Sequence, residues 1–395
     1  MSRLEQFKSL LAPTTEHPLG LEIKKARGSY LYDVNGKRYL DLVAGVSAVS
    51  VGHANSRVRR AVNRQMRKHS HVMVYGEFIQ EVVLSYAKKL TDSLEPELSN
   101  VYLVNSGTEA VEGALKLAKV VTGRTQIIAA RQAYHGNTYG SLSLMDYKER
   151  INPFRPLLPG VNHITFNNEE ELSNITSETA AVILETIQGG AGFIEPKNGY
   201  LKKVKARCEE VGALLILDEI QPGFGRTGEL FAYRHYGITP DILVIGKGMA
   251  GGLPIGAFVS SKENMSLLGY KPRLGHITTF GGNPVIAAAA LATLEEIEAK
   301  KYQSKAIQHE AQIRVSLKHP LIEEIRGKGL MLALILKDSE IANHLVLEGM
   351  KEGVILFWLL YEKRAVRITP PLSISEKELK KGCATILSVL DRYAC

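Results

Sequence analysis

A lysine that closes a fully apolar strand needs a reason to be there. Lys247 follows the run Ile242-Leu243-Val244-Ile245 and sits in the glycine turn Gly246-Lys247-Gly248. A second apolar run, Ala213 to Leu217, ends in Asp218, and two further runs end in Asn105 and Glu185. Most lysines are solvated at the surface. A primary amine set beside a strand-end carboxylate suits a different task, the capture of an aldehyde cofactor as a Schiff base.

A cofactor of the pyridoxal type needs an amine, an anion to keep its ring nitrogen protonated, a phosphate cradle, and a wall against the ring. Asp218 can be the anion, because a buried carboxylate is stable only when paired. It could equally cap the following loop. In Asn105-Ser106-Gly107-Thr108-Glu109-Ala110 a strand gives way to a helix with Val111, Ala114, Leu115 and Ala118 on its apolar face. Free amides at that helix start, with the hydroxyls of Ser106 and Thr108, can bind a phosphate without any lysine. The same string also reads as an ordinary helix cap. Tyr134, in Ala133-Tyr134-His135-Gly136, can stack on a planar ring or simply pack.

Gly246 to Gly251 also satisfies G-x-G-x-x-G after a strand, which would make the protein a nicotinamide enzyme. That fingerprint must open a helix aimed at the pyrophosphate, whereas here the chain runs through Gly252-Leu253-Pro254-Ile255-Gly256 into the strand-like Ala257-Phe258-Val259-Ser260. No G-x-x-x-x-G-K-[ST] string occurs, so a P-loop is excluded.

The elements that must position these residues are legible. From about residue 100, apolar runs alternate with helical patterns: Val101 to Val104, Gln126 to Ala129, Ala181 to Leu184, a helix near Leu201 to Val211, Ala213 to Leu217, and Ile242 to Ile245. Such alternation predicts an α/β fold with a mostly parallel sheet buried on both faces and a ligand site beyond the strands' carboxyl ends. Gly28 to Asp33 and Arg38 to Asp41, joined by Asn35-Gly36, predict a hairpin outside that sheet. Ile286 to Lys300 reads as one long helix, and a smaller C-terminal domain with a strand near Met331 to Ile335 follows.

With 395 residues, 45% hydrophobic and 23% charged, the chain is an ordinary globular protein long enough for two domains. The net charge is +8, and Arg57 to Lys68 is its densest basic stretch. Val58, Ala61, Val62 and Met66 recur there at helical spacing, so the charges read as the wet face of an amphipathic helix rather than a nucleic-acid site. Cys208, Cys383 and Cys395 lack the spacing of a disulfide framework or a zinc site, which points to a reducing compartment and by default the cytoplasm. No signal peptide or membrane span is expected, and the mature chain should begin near Met1.

Over nearly its whole length the sequence resembles the class III (ω-amino) pyridoxal-phosphate aminotransferases, which have the aspartate-aminotransferase-like fold type I. NSGTEA at Asn105, LDEIQPGFGRTG at Leu217, GKGMAGGLPIGA at Gly246 and TTFGGNP at Thr278 look like that family's signatures in its order, and YLDLVAGVSAVSVGH ending at His53 and RGKGLM at Arg326 fit too. The resemblance implies pyridoxal 5'-phosphate bound by Lys247 and paired at its ring nitrogen with Asp218. It further implies Gln221 near the ring hydroxyl, Ile220 and Tyr134 on the two ring faces, and Gly107 and Thr108 on the phosphate. Thr279 matches a threonine that reaches the neighbouring subunit's phosphate, so a homodimer with active sites at the subunit interface is expected. Thr278 matches a position beside the substrate. The expected division is residues 1–45 packing with the small domain, 46–285 as the large cofactor domain and 286–395 as the small domain.

Within the family the acetylornithine/ornithine branch is most similar, yet three positions depart from it. Asn137 stands where that branch has an arginine for the distal carboxylate, Gly190 where many relatives have a glutamate masking a second arginine, and Val46 where ornithine enzymes have a tyrosine. Arg367, in RITPPL, matches that second arginine, and Gly190 implies that it is unmasked. The leading expectation is a transaminase moving the terminal amine of an ω-amino acid or diamino acid to a 2-oxo acid such as 2-oxoglutarate. The alternatives are a 4-aminobutyrate or β-alanine enzyme using pyruvate and, further off, a decarboxylating transaminase or an aminomutase.

Overall fold

Continuous apolar runs require a sheet covered on both faces, and the computed structural model of the chain, which describes residues 2–270 and 272–394, contains one. The strands in chain order are Ile23–Arg27 (β1), Tyr30–Asp33 (β2), Arg38–Asp41 (β3), Asn100–Val104 (β4), Gln126–Ala130 (β5), Val161–Ile164 (β6), Thr179–Glu185 (β7), Leu214–Asp218 (β8), Ile242–Gly246 (β9), Gly256–Ser260 (β10), Ile322–Lys328 (β11), Met331–Leu336 (β12), Val354–Ile355 (β13), Phe357–Trp358 (β14) and Ala365–Ile368 (β15). The central sheet has the order β4-β10-β9-β8-β7-β5-β6. Every residue of β7, β9 and β10 is buried.

The expected parallel arrangement holds from β6 through β5, β7 and β8 to β9. β10 runs antiparallel to both its neighbours, β9 and β4. Residues 247–255 are all that separate β9 from β10, fewer than a parallel crossover requires. The register aligns the strand ends: Glu185 lies opposite Asp218, Asp218 opposite Val244, and Gly256 opposite both Gly246 and Val104.

The helix Gly107–Thr122 packs across β9 and β10. Ser106 is its N-cap, with Oγ accepting from the Glu109 amide at 3.3 Å. Gly113 faces Phe258 so closely that a Cβ there would lie 2.2 Å from a ring carbon. Overpacking a fully buried ring cannot be relieved cheaply. Gly113→Ala is therefore expected to destabilise the protein by about 1–3 kcal/mol, read as a lower urea midpoint at unchanged slope.

The hairpin β2–β3 lies outside the central sheet, in the order β1-β2-β3-β13. Its last strand pairs in parallel with β13, which comes from near the C-terminus. A third sheet has the order β11-β12-β15-β14. The long alanine-rich helix spans Pro284–Ala299, started by Asn283, whose side chain accepts from the amides of Val285 and Ile286 at 2.9 and 3.2 Å. Buried Arg226, from the GFGRTG segment, donates to the carbonyls of Leu330 and Pro370, joining the central sheet's loops to the C-terminal strands.

The basic stretch forms the helix Ser56–Lys68, with Arg59, Arg60, Arg64, Arg67 and Lys68 exposed. One expectation there fails: Met66 is exposed and Gln65 is buried in its stead. Position 65 lies two turns beyond buried Val58 on one face, and its amide is satisfied by the His69 carbonyl at 3.1 Å. Cys208 and Cys383 are buried free thiols; Cys395 lies outside the described residues. Among the described residues no helix is long and apolar enough to cross a membrane, and no cluster of His, Cys, Asp and Glu could hold a metal ion.

Candidate active site

The carboxyl ends of β7, β8 and β9 open on a cavity of about 590 Å3. Another cavity, about 680 Å3 and lined by Lys202, Lys205 and Asp241, is larger. Chemistry rather than volume distinguishes the first, because it gathers Lys247, Asp218, Glu185 and Arg367 on one wall system.

Lys247 is the first residue beyond β9 and begins a single 3-10 turn, Lys247–Ala250. Its φ of 43° lies in the left-handed region that side chains avoid. Such strain is retained where the surroundings over-determine it, characteristically at functional sites. One 3-10 turn gives no helix N-terminus for a dinucleotide, so the G-x-G-x-x-G string has no pyrophosphate site here. Burial lowers the ammonium pKa of Lys247, with Arg367 acting in the same direction and Asp218 and Glu185 opposing it. Val46 enters the cavity from a second strained segment, with φ of 51°, 59° and 68° at Ala44, Val46 and Ser47. Left-handed φ at a β-branched residue is a genuine outlier.

Asp218 is 3% exposed. One carboxylate oxygen accepts from the Ile220 amide at 2.9 Å and the other meets His135 Nδ1 at 2.8 Å. Burial works against charge on His135, yet the hydrogen bond and charge of Asp218, assisted by Glu185, carry its pKa above the ordinary value. Glu185, the register neighbour, accepts from the amides of Gly189 and Tyr134 at 3.0 and 3.3 Å, and burial pushes its carboxyl up to about 7.

Gly107 and Thr108 bring the helix N-terminus to the cavity. The Thr108 hydroxyl is within 2.7 Å of those of Thr138 and Ser141. Ser106 is absent from the lining, and its hydroxyl is engaged in the cap. Gly107 also lets the helix start close on Ile220, since a Cβ would lie 2.7 Å from Ile220 Cδ1.

Arg367 is 8% exposed. Its Nε donates to the Trp358 carbonyl at 3.1 Å, one terminal nitrogen is buried without a partner, and burial pushes its pKa down to about 10. Among the described residues no carboxylate lies within ion-pair distance of it. Gln221 Nε2 and His135 Nε2, on residues of the same lining, are likewise buried and unpartnered. Buried donors need acceptors, so the cavity fits a ligand rich in oxygen and ring nitrogen, with an amine at 247 and a carboxylate at 218 for its reactive end.

The sequence profile of the class III aminotransferases matches residues 11–390. The chain belongs to the class III aminotransferase family. It is 37% identical to the acetylornithine aminotransferase of Corynebacterium efficiens, covering 94% of this chain and 92% of that one. It is 39% identical to the putrescine aminotransferase of Pectobacterium atrosepticum, covering 97% and 84% respectively. A crystal structure of the ornithine aminotransferase from Toxoplasma gondii superposes with a TM-score of 0.91 at 31% identity, over 99% of this chain and 94% of that one. The protein is thus a transaminase of fold type I whose cofactor is pyridoxal 5'-phosphate.

Of the residues singled out in the sequence, this aminotransferase gathers Val46, Gly107, Thr108, Tyr134, Asn137, Asp218, Ile220, Gln221, Lys247 and Arg367 around one cavity. Thr278 and Thr279 are not among them. Thr279 is exposed, and the Thr278 hydroxyl accepts from the Gly281 amide at 2.6 Å in a separate groove. Sequence reasoning gave no role to His135, which stood inside the quoted AYHG string, and missed Arg150 and Tyr361, which lie in no motif.

Proposed function

We propose that this aminotransferase moves the terminal amino group of an ω-amino acid or diamino acid, acetylornithine-like or ornithine-like, to a 2-oxo acid such as 2-oxoglutarate. The observation that carries the reading is Arg367: a buried guanidinium without a carboxylate partner among the described residues, in the same cavity as Lys247 and Asp218, calls for a substrate carboxylate. When bound, pyridoxal phosphate supplies an aldehyde for the amine and an electron sink for the carbon that loses its proton. Lys247 would hold the cofactor covalently through its amine and, once the substrate amine displaced it, would be free to move that proton; burial lowers its pKa. Asp218 would hold the ring nitrogen protonated, its carboxylate fixed by His135. Gly107 and Thr108 would cradle the phosphate, Ile220 and Tyr134 would flank the ring, and Gln221 would meet its hydroxyl. Val46 and Asn137 border the substrate, and Thr278, which lies in a groove away from this chain's own cavity, would do so only across the homodimer interface beside Thr279.

Thr279 acts on the partner's phosphate in a homodimer, a reading supported by its exposure away from this chain's own cavity. The division into 1–45, 46–285 and 286–395 is supported by the β3–β13 pairing between the two ends of the chain. Buried free thiols favour the cytoplasm.

A second reading, transamination of 4-aminobutyrate or β-alanine with pyruvate, draws on Gly190: with no acid there, Arg367 stays uncovered in both half-reactions. Holoenzyme mixed separately with N-acetylornithine, ornithine, 4-aminobutyrate and β-alanine separates the readings through loss of its visible absorbance. Rapid bleaching by either of the first two is expected. Bleaching by only the last two moves the enzyme to the second reading, and none by any donor overturns both.

A further inference from the structure

The cavity that holds Arg367 contains a second guanidinium. Arg150 lies on the short helix Lys148–Ile151 and lines the cavity at its solvent-exposed mouth. Among the described residues it has no carboxylate within ion-pair distance. The adjacent acid, Glu149, is engaged by the Tyr147 hydroxyl at 2.9 Å.

An exposed arginine ordinarily samples many rotamers, but this one is braced. Its guanidinium carbon sits over the Tyr147 ring, 5.8 Å from the ring centre. Tyr147 in turn meets Tyr361 edge-on, with ring centres 5.5 Å apart. Tyr361 is pinned at both ends, its hydroxyl donating to the Ala133 carbonyl and its amide to the Gly190 carbonyl, each at 2.9 Å. The series ends at Gly190, where a Cβ would come within 3.0 Å of two Tyr361 ring carbons. A glycine at 190 admits Tyr361, Tyr361 backs Tyr147, and Tyr147 carries the Arg150 guanidinium. Asn137, also at the mouth, is tied to the Tyr134 hydroxyl at 3.4 Å and offers no charge.

We propose that Arg150 reads the anionic group of the substrate that lies farthest from the reacting carbon. Arg367 takes a carboxylate deep in the cavity and Arg150 one at its mouth. The site thereby favours dicarboxylic 2-oxo acids, and amino donors whose carboxylate is remote from the amine, over monocarboxylates and plain diamines. This deepens the transaminase reading and rests on it for the identity of the reactants.

The test uses holoenzyme and its Arg150→Met variant, titrated calorimetrically with glutarate and with butyrate, neither of which can react. Removing a charged hydrogen bond to the distal carboxylate should weaken glutarate roughly 10- to 100-fold and butyrate far less. Arg150→Lys should recover part of the loss, since it restores charge without the planar fork. In turnover, the preference for 2-oxoglutarate over pyruvate should fall by a similar factor through KM. Tyr147→Leu, which removes the brace and keeps the charge, should weaken glutarate by less than Arg150→Met does. Glutarate affinity unchanged by Arg150→Met, or equal losses for both acids, overturns the proposal. Because the titration needs no turnover, a wild-type enzyme that no amino donor bleaches would count against the transaminase substrates alone.

Discussion

Replacing Lys247 with alanine should lower transamination by at least about 10^4-fold while leaving a folded protein. General acid–base transfer alone is worth about 10^2 to 10^4, and here one amine is assigned both that transfer and the covalent attachment, so no neighbour retains half the function. The other titratable groups of the cavity cannot substitute. Glu185 is held by two backbone amides and Asp218 by the Ile220 amide and His135. The backbone argues that folding will survive. The φ of 43° is imposed by the turn between β9 and β10, and alanine meets the same left-handed cost that lysine already bears. Lysine is thus retained at a position whose geometry would suit glycine, which is understandable if the amine is what is selected. Steady-state transamination, visible absorbance and thermal unfolding of Lys247→Ala measure the three parts. A variant keeping more than about a hundredth of wild-type activity would remove Lys247 from the centre of the chemistry.

The parts of this site that were legible in sequence are those in which local pattern and position coincide. Lys247, Asp218 and Glu185 each end an apolar run, and in a parallel sheet every such run delivers its last residue to the same edge. Gly107 and Thr108 were legible because a helix start after a strand has the same geometry. What was not legible depends on contacts between distant segments. His135 reaches Asp218 across 83 residues of chain and Tyr361 reaches Ala133 across 228, and no spacing rule links such positions. Arg150 belongs to a four-residue helix whose only signature is the aromatic stack beneath it. The antiparallel course of β10 was concealed for a different reason: its apolar run is as continuous as those of the parallel strands, and only the brevity of its connection to β9 gives the direction away. Gly190 reads in sequence as a missing acid, whereas the Tyr361 ring that fills its place comes from a distant part of the chain.

Asp218→Asn should reduce kcat by about 10^2 to 10^4-fold, the range typical of losing one proton-handling or charge-stabilising group, with a smaller change in KM. Asparagine preserves volume and can still accept from the Ile220 amide, so the change isolates the charge. That charge performs two tasks in this structure. It offsets burial at His135, whose pKa stands above its ordinary value chiefly because of Asp218, and it faces the cavity beside Lys247. Without it, the contribution that raises the His135 pKa is gone and burial favours a neutral imidazole beside a neutral amide. The stability cost should then stay below the 3–5 kcal/mol (about that range) seen when a buried ion is stranded. His135→Ala keeps the carboxylate and loses only its support, so its loss of kcat should be clearly the smaller of the two. If both substitutions cost the same, the charge would act through positioning alone; if Asp218→Asn retained activity within about tenfold, the carboxylate would have no part in activating the ring. The ordering of the two variants, more than either value, decides whether Asp218 is the anion that the chemistry uses or one member of a structural pair.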